Sequence, residues 1–472
     1  MNQAISFSME QLRGRLPALI DTLEHGLVER RSIVRLCLLA ALAGEHSLLI
    51  GPPGTAKSEL ARRLHTIFRD ARYFERLLTR FSVPEELFGP LSIKALEEDR
   101  YERQTRGFLP EASVAFIDEV FKANSAILNA LLTLLNEREF DNGEGRQRCP
   151  LITAIGATNE VPEDEVAEAF FDRFLMRIPV DPVSTAGFNH LLNSDHGATW
   201  GAPEREQTLE AADLAALNQA AAAVALPDEV TAVLGELRTQ FATEHSYVSD
   251  RRWVKIVALL RIAAASEGRP AIALWDLLLL PWCTAPDAPR QQTVAVWLQT
   301  RLGVRSAFSP PRLTRIVEAF EAQLEAELKA NDLDYDESGR LRFSAGELAD
   351  DIGDAKGGAA ALRMTHSRQR RYGPLHIEAR TRQIDELIAR IDSYSAELAE
   401  QRQNLEAYRS GSLWLDDDLL VQVADNLQRT SMAIDFLRQR ALLARSGFTT
   451  LPRLPDGEGE VPTPVSHESL MV

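Results

Sequence analysis

Apolar positions in residues 9–43 recur at helical spacing, with Leu12, Leu16, Leu19, Leu23 and Leu27 on one stripe and Val34, Leu38 and Leu42 on a second. They predict two helices leading into a short apolar strand, Ser47 to Ile50. From there to Pro179 short apolar runs alternate with helical periods. Strands are expected at Leu48–Ile50, Tyr73–Leu77, Val114–Ile117 and Leu151–Ala157, with helices from Lys57 and from Ser125 to Arg138. Short apolar strands bounded by helices predict an α/β fold built on a parallel sheet covered on both faces.

Between Asp181 and about Pro203 the composition turns to Pro, Ser, Asn and Gly, which reads as a linker. Beyond it the chain is helical and Ala-rich, with Pro227 restarting a helix and Ser249 placed to cap another. Further on, Ile384, Leu387, Ile391, Tyr394, Leu398, Leu405 and Tyr408 fall on alternating steps of three and four, and Leu420, Val423, Leu427, Ile434 and Leu437 form a second series. Two long antiparallel helices follow from this, with Leu313–Leu328 as a third helix for the same bundle. The predicted domains are therefore an α/β domain over 1–190, an all-α domain over 205–295, and a helical bundle or hairpin over 296–330 and 374–446. A loop-rich insertion is expected over 331–373 and a disordered Pro/Gly/Glu-rich tail over 452–472.

The chain has 472 residues, enough for several domains, and a formal net charge of -17. That charge argues against a surface built to neutralise nucleic-acid phosphates along its length. The three cysteines, Cys37, Cys149 and Cys283, lack paired spacing, so neither a disulfide framework nor a zinc site is indicated. With no secretory pattern at the N-terminus and no apolar run near the roughly 20 residues that a membrane span needs, a cytoplasmic protein is expected.

The chemistry begins with Gly51-Pro52-Pro53-Gly54-Thr55-Ala56-Lys57-Ser58, directly after one predicted strand and directly before an amphipathic helix. A glycine-rich turn in that position aims backbone N–H groups at phosphates, and the helix N-terminus adds partial positive charge. Lys57 would reach the β- and γ-phosphates of ATP and Ser58 would hold Mg²⁺. Ala56 stands where a second glycine is usual. If the position needs a positive φ, alanine costs about 1 kcal/mol or more; if it is helical, the cost vanishes.

Val114-Ala115-Phe116-Ile117 ends in Asp118-Glu119. In a parallel sheet this strand delivers its carboxylates to the edge that carries the phosphate loop, Asp118 toward Mg²⁺ and Glu119 toward the attacking water. An Asp-Glu pair after a buried strand is common by itself; the loop gives it meaning. The last strand of the series ends in Thr158-Asn159, a turn signal in isolation, where an uncharged amide beside the γ-phosphate would orient water. Arg173 follows within fifteen residues and suits an arginine finger; a local ion pair with Asp172 is the plainer reading. Arg251, beside the equally charged Arg252, is a second candidate from the helical region.

These residues in this order resemble the AAA+ superfamily. Phe81 to Pro90, Arg106 to Ala112 and Asn129 to Phe140 resemble its MoxR branch. More narrowly, the loop with alanine before its lysine, Tyr247 to Trp253, and Trp414-Leu415 resemble the RavA subgroup. The resemblance implies an AAA+ nucleotide-binding domain, an all-α lid and a hexameric ring of identical subunits. It implies that Arg173 acts on the next subunit, that Arg251 senses nucleotide from the lid, and that a partner carries a von Willebrand factor A domain. Residues 331–373 are shorter and more polar than the β-rich insertion of the best-known member, so that member's insertion-dependent partners are not carried over. A nucleic-acid- or transcription-linked AAA+ NTPase is the rival reading, supported only by the basic run Arg363 to Arg371. A scaffold that uses ATP only for assembly is a second rival, and an intact Glu119 speaks against it.

Overall fold

The computed structural model describes residues 2–143, 145–159, 161, 165–193, 200–332, 368–454 and 459–470. The chain forms two units, residues 1–302 with 405–423, and residues 303–404 with 424–472. Much of the expected 331–373 insertion, Arg363 included, lies outside the described residues. No helix among the described residues is long and apolar enough to cross a membrane.

The first unit begins with α1 (Asn2–Glu24) and α2 (Arg31–Leu42), then β1 (His46–Ile50), α3 (Lys57–Thr66) and β2 (Tyr73–Leu77). Short helices α4 (Pro84–Phe88) and α5 (Ile93–Glu97) precede β3 (Val114–Asp118) and α6 (Ser125–Glu137). A hairpin of β4 (Glu139–Asp141) and β5 (Arg146–Arg148) leads to β6 (Thr153–Thr158), α7 (Glu165–Phe171), β7 (Phe174–Pro179) and α8 (Thr185–Asn193). The five long strands form one parallel sheet in the order β2-β3-β6-β1-β7. It is buried on both faces, as the uninterrupted apolar runs require: β6 is buried throughout, and α2 is buried from Ile33 to Leu42.

Parts of this unit depart from the sequence reading, the β4–β5 hairpin among them. The stretch taken as a linker after Asp181 contains α8, and β7 was not among the expected strands. Asn142, in the β4–β5 turn, clasps a distant loop: its Oδ1 accepts from the Arg103 N–H at 2.7 Å and its Nδ2 donates to the Arg103 carbonyl at 3.2 Å.

The lid comprises α9 (Ala211–Ala222), α10 (Asp228–Thr243), α11 (Asp250–Ser266), α12 (Leu280–Thr284) and α13 (Ala288–Arg301). Ser249 caps α11 as expected, its Oγ accepting from the Arg252 N–H at 3.3 Å. The two long helices are Pro374–Gly411 and Asp417–Thr449, and the tip joining them belongs to the first unit. There the Trp414 indole donates to Ser266 Oγ at 2.9 Å and the Tyr408 hydroxyl to Asp276 Oδ1 at 2.8 Å. The hairpin thus packs its tip on the lid.

In the second unit the hairpin helices join α14 (Pro310–Lys329), the third bundle helix read from the sequence. Arg440 grips Glu321 with its Nε at 2.9 Å, and the buried Glu327 receives Arg380 at 2.9 Å and His376 at 3.0 Å. Residues 459–470, expected to be disordered on composition, lie against this bundle. Arg380 donates to the Thr463 carbonyl at 2.7 Å, Arg315 pairs with Glu468 at 2.9 Å, His467 packs on Phe320, and Leu470 is buried. These few anchors come from other elements, which composition does not register.

Ala56 has φ 67° and ψ 21°, so the left-handed alternative holds and the position carries the cost of a side chain there. Replacing Ala56 by Gly is therefore expected to stabilise the chain by about 1 kcal/mol. Urea unfolding measures this, and an unchanged or lowered midpoint would show that Ala56 is not under strain.

Candidate nucleotide site

Three neighbouring strands end at one edge. Ile50 of β1 lies opposite Thr158 of β6, and Leu77 of β2 opposite Asp118 of β3. The phosphate loop, the amide of Asn159 and the Asp118-Glu119 pair thus leave the sheet together, as the carboxyl edge of a parallel sheet dictates. They line one cleft of about 430 Å³ with walls from Pro53 to Glu59, Arg62, Asp118, Glu119 and Asn159.

The loop is shaped by backbone constraints. Gly54 has φ 80°, and a Cβ on Gly51 would sit 2.1 Å from the Val180 carbonyl oxygen, so only glycine fits. Behind the loop Arg30, largely buried, donates from Nε to the Thr55 carbonyl at 3.1 Å and from Nη2 to the Asp181 carbonyl at 2.8 Å. Nothing in the sequence singled out Arg30, because it precedes the motif by a full helix.

Lys57 is buried, and its ammonium donates to the carbonyls of Gly51 and Pro52 at 2.5 and 2.9 Å. Burial pushes its pKa down, while Asp118 and Glu119 pull it back up. The lysine and both carboxylates therefore sense one another across the cleft. A buried ammonium at a helix N-terminus beside two carboxylates fits a magnesium-bound polyphosphate: Lys57 and the loop N–H groups would face phosphate, while Asp118 and the Ser58 hydroxyl would supply hard oxygen donors for Mg²⁺.

Glu119 also sits in the left-handed region, at φ 51° and ψ 42°. That turn throws its carboxylate back over the sheet edge. Oε1 accepts from Asn159 Nδ2 at 2.8 Å, and Oε2 lies 3.2 Å from Lys122 Nζ. Strain at a residue so tied belongs with chemistry rather than with stability. Lys122 was missed by the sequence reading; its only signal was a position three residues past the glutamate on a turn.

The two candidate arginines do not line this cleft. Arg173 sits between α7 and β7, its Nη1 3.6 Å from Asp172, while its buried Nε makes no hydrogen bond among the described residues. Burial lowers its pKa, and the positive charge of Arg251 lowers it further. Arg251 is exposed, reaching Asn136 Oδ1 at 3.1 Å. Sequence reasoning had placed Arg251 among the nucleotide-binding residues; it is not in the lining of this cleft, and its charge acts on Arg173. The competitor Arg252 is withdrawn into the interior, 3% exposed. All three cysteines are buried free thiols.

Comparisons with known proteins agree with this arrangement. Residues 14–219 match the family model of the MoxR domain in the MoxR-vWA-beta-propeller ternary systems, and residues 229–298 match an AAA lid domain. An uncharacterized protein of Methanocaldococcus jannaschii is 38% identical over 274 residues, which cover 58% of this chain and 70% of that protein. Protein MoxR of Paracoccus denitrificans is 30% identical over 154 residues, 31% of this chain and 44% of that one. A crystal structure of a candidate ATPase from Cytophaga hutchinsonii superposes with a TM-score of 0.50 at 17% identity, covering 60% of this chain and 89% of the other, and so shares the fold. With the phosphate loop, the carboxylate-tipped strand and the all-α lid in family order, the chain belongs to the MoxR family of AAA+ ATPases.

Proposed function

We propose that this chain hydrolyses ATP at the subunit interfaces of a homohexameric ring and uses the cycle to remodel or chaperone partner proteins in the cytoplasm. The observation that carries the reading is the separation of charges on one chain. Lys57, Ser58, Asp118, Glu119 and Asn159 gather at the cleft, while Arg173 and Arg251 are outside its lining and the charge of one acts on the other. An ATP held by one loop is then completed by both arginines of the adjacent subunit.

Lys57 and the N–H groups of residues 51–58 bind the phosphates. Ser58 and Asp118 would hold Mg²⁺, which would supply charge neutralisation to the phosphates. Glu119 accepts a hydrogen bond from the attacking water, and Asn159, already bonded to Glu119, sets the geometry of both. Arg173 stabilises transition-state charge from across the interface. Loss of the γ-phosphate removes what the two arginines grip. Each turnover then changes how neighbouring subunits meet, and that motion is passed to the client.

The description of the matching family model supports a partner with a von Willebrand factor A domain, which the resemblance to the RavA subgroup also implies. Two outcomes test the proposal. Glu119→Gln is expected to keep nucleotide affinity and lower turnover by about 100-fold or more; phosphate release at the wild-type rate would remove Glu119 from its role. Mixing Arg173→Ala subunits with Lys57→Ala subunits is expected to restore part of the lost activity, because a sound finger then meets a sound loop. Complete absence of rescue in assembled mixtures would count against the shared site.

A further inference from the structure

Arg252 takes no part in the chemistry described so far, yet it is among the most enclosed charges of the first unit. It stands in the first turn of α11, next to Arg251, and its side chain bridges the lid helix α12 and the turn before β7. Nη1 donates to the carbonyl and to Oδ1 of Asp172 at 3.1 and 3.0 Å. Nη2 donates to the carbonyls of Phe174 and Leu175, both at 2.8 Å, and Nε to the carbonyl of Cys283. A guanidinium has five N–H donors in a rigid planar fork, and here each finds an acceptor.

Those acceptors surround one residue. Asp172, Phe174 and Leu175 bracket Arg173, and the fork closes on the turn that carries it. The backbone there needs such a partner. His46 pairs with Phe174 and Ser47 with Met176, so Leu175 is an extra residue in β7. Bulges of this kind disrupt the ladder and re-aim neighbouring side chains. Two successive carbonyls at the irregularity are answered by a single nitrogen of Arg252. Asp172 extends the contact, lying 3.6 Å from both Arg173 and Arg177, while Arg177 stacks over Phe171.

We infer that Arg252 is a positioning residue that clamps the lid helix to the finger turn, so that Arg173 and Arg251 are presented to the neighbouring subunit as one rigid pair. The inference rests on the interface reading proposed above and adds a residue that touches neither nucleotide nor water. It also states what moves: α11 and the finger turn travel together, and the conformational change falls between subunits rather than between lid and finger.

The test uses assembled full-length chains carrying Arg252→Met or, because the first may fail to fold, Asp172→Asn, which keeps the shape of a half-exposed side chain. Either is expected to lower kcat, by about tenfold or more for Arg252→Met and less for Asp172→Asn. Affinity for a fluorescent ADP analogue is expected to stay within about twofold of wild type. Mixing with Lys57→Ala subunits should restore activity, since the variant's own loop is sound, whereas mixing with Arg173→Ala subunits should not, since both lack a working finger. A purely structural defect would not give that pattern of rescue. Wild-type kcat in both variants, or loss unrescued by Lys57→Ala in mixtures where Arg173→Ala is rescued, overturns the clamp. If Arg173→Ala itself is never rescued, the interface reading falls first.

Discussion

Parallel strands end on the same side of a sheet, and the placement of β1, β6 and β3 as neighbours makes that rule specific. One strand runs into the phosphate loop, the next into Asn159, the third into Asp118 and Glu119. No long-range loop is needed to gather them. The remaining work is local: Gly51 must come within contact of the Val180 carbonyl, and Ala56 and Glu119 must turn left-handed. Both non-glycine residues hold conformations that cost free energy, on the order of 1–3 kcal/mol each. The sheet register and the Asn159 and Lys122 contacts hold Glu119 there.

In the proposed ring, Arg173 and Arg251, which do not line the cleft of their own chain, would complete the site of an adjacent subunit. Burial lowers the pKa of Arg173, and the positive charge of Arg251 lowers it further. Like charges that act on one another favour an anionic partner, and in the proposed ring a nucleotide on an adjacent subunit would be such a partner. The proposal therefore makes assembly a requirement of catalysis.

Much of this was legible in the sequence, and the exceptions have physical causes. The strands β1, β2, β3 and β6 announced themselves as short apolar runs, and helix α6 kept a clean helical period. β7 did not, because Arg177 interrupts its apolar run and is buried all the same, stacked on Phe171. Hairpin β4–β5 was missed because β5 reads Arg-Gln-Arg and is exposed throughout, leaving no alternation to detect. Helix α8 was hidden in a polar stretch whose composition resembles a connector. The phosphate loop and carboxylate pair were found because motif spacing encodes chemistry directly. The arrangement of Arg251 and Arg252 was not, since two adjacent arginines on a helix point different ways and only packing decides which one is buried.

The central claim is that the loop and the carboxylate strand serve one magnesium-bound phosphate chain. It is tested most directly by phosphate release from ATP during a Mg²⁺ titration, comparing wild type with Asp118→Ala. The account requires wild-type turnover that depends on Mg²⁺, and a variant that still binds nucleotide yet loses that turnover at every Mg²⁺ concentration. A variant whose rate and Mg²⁺ dependence match those of wild type would contradict it.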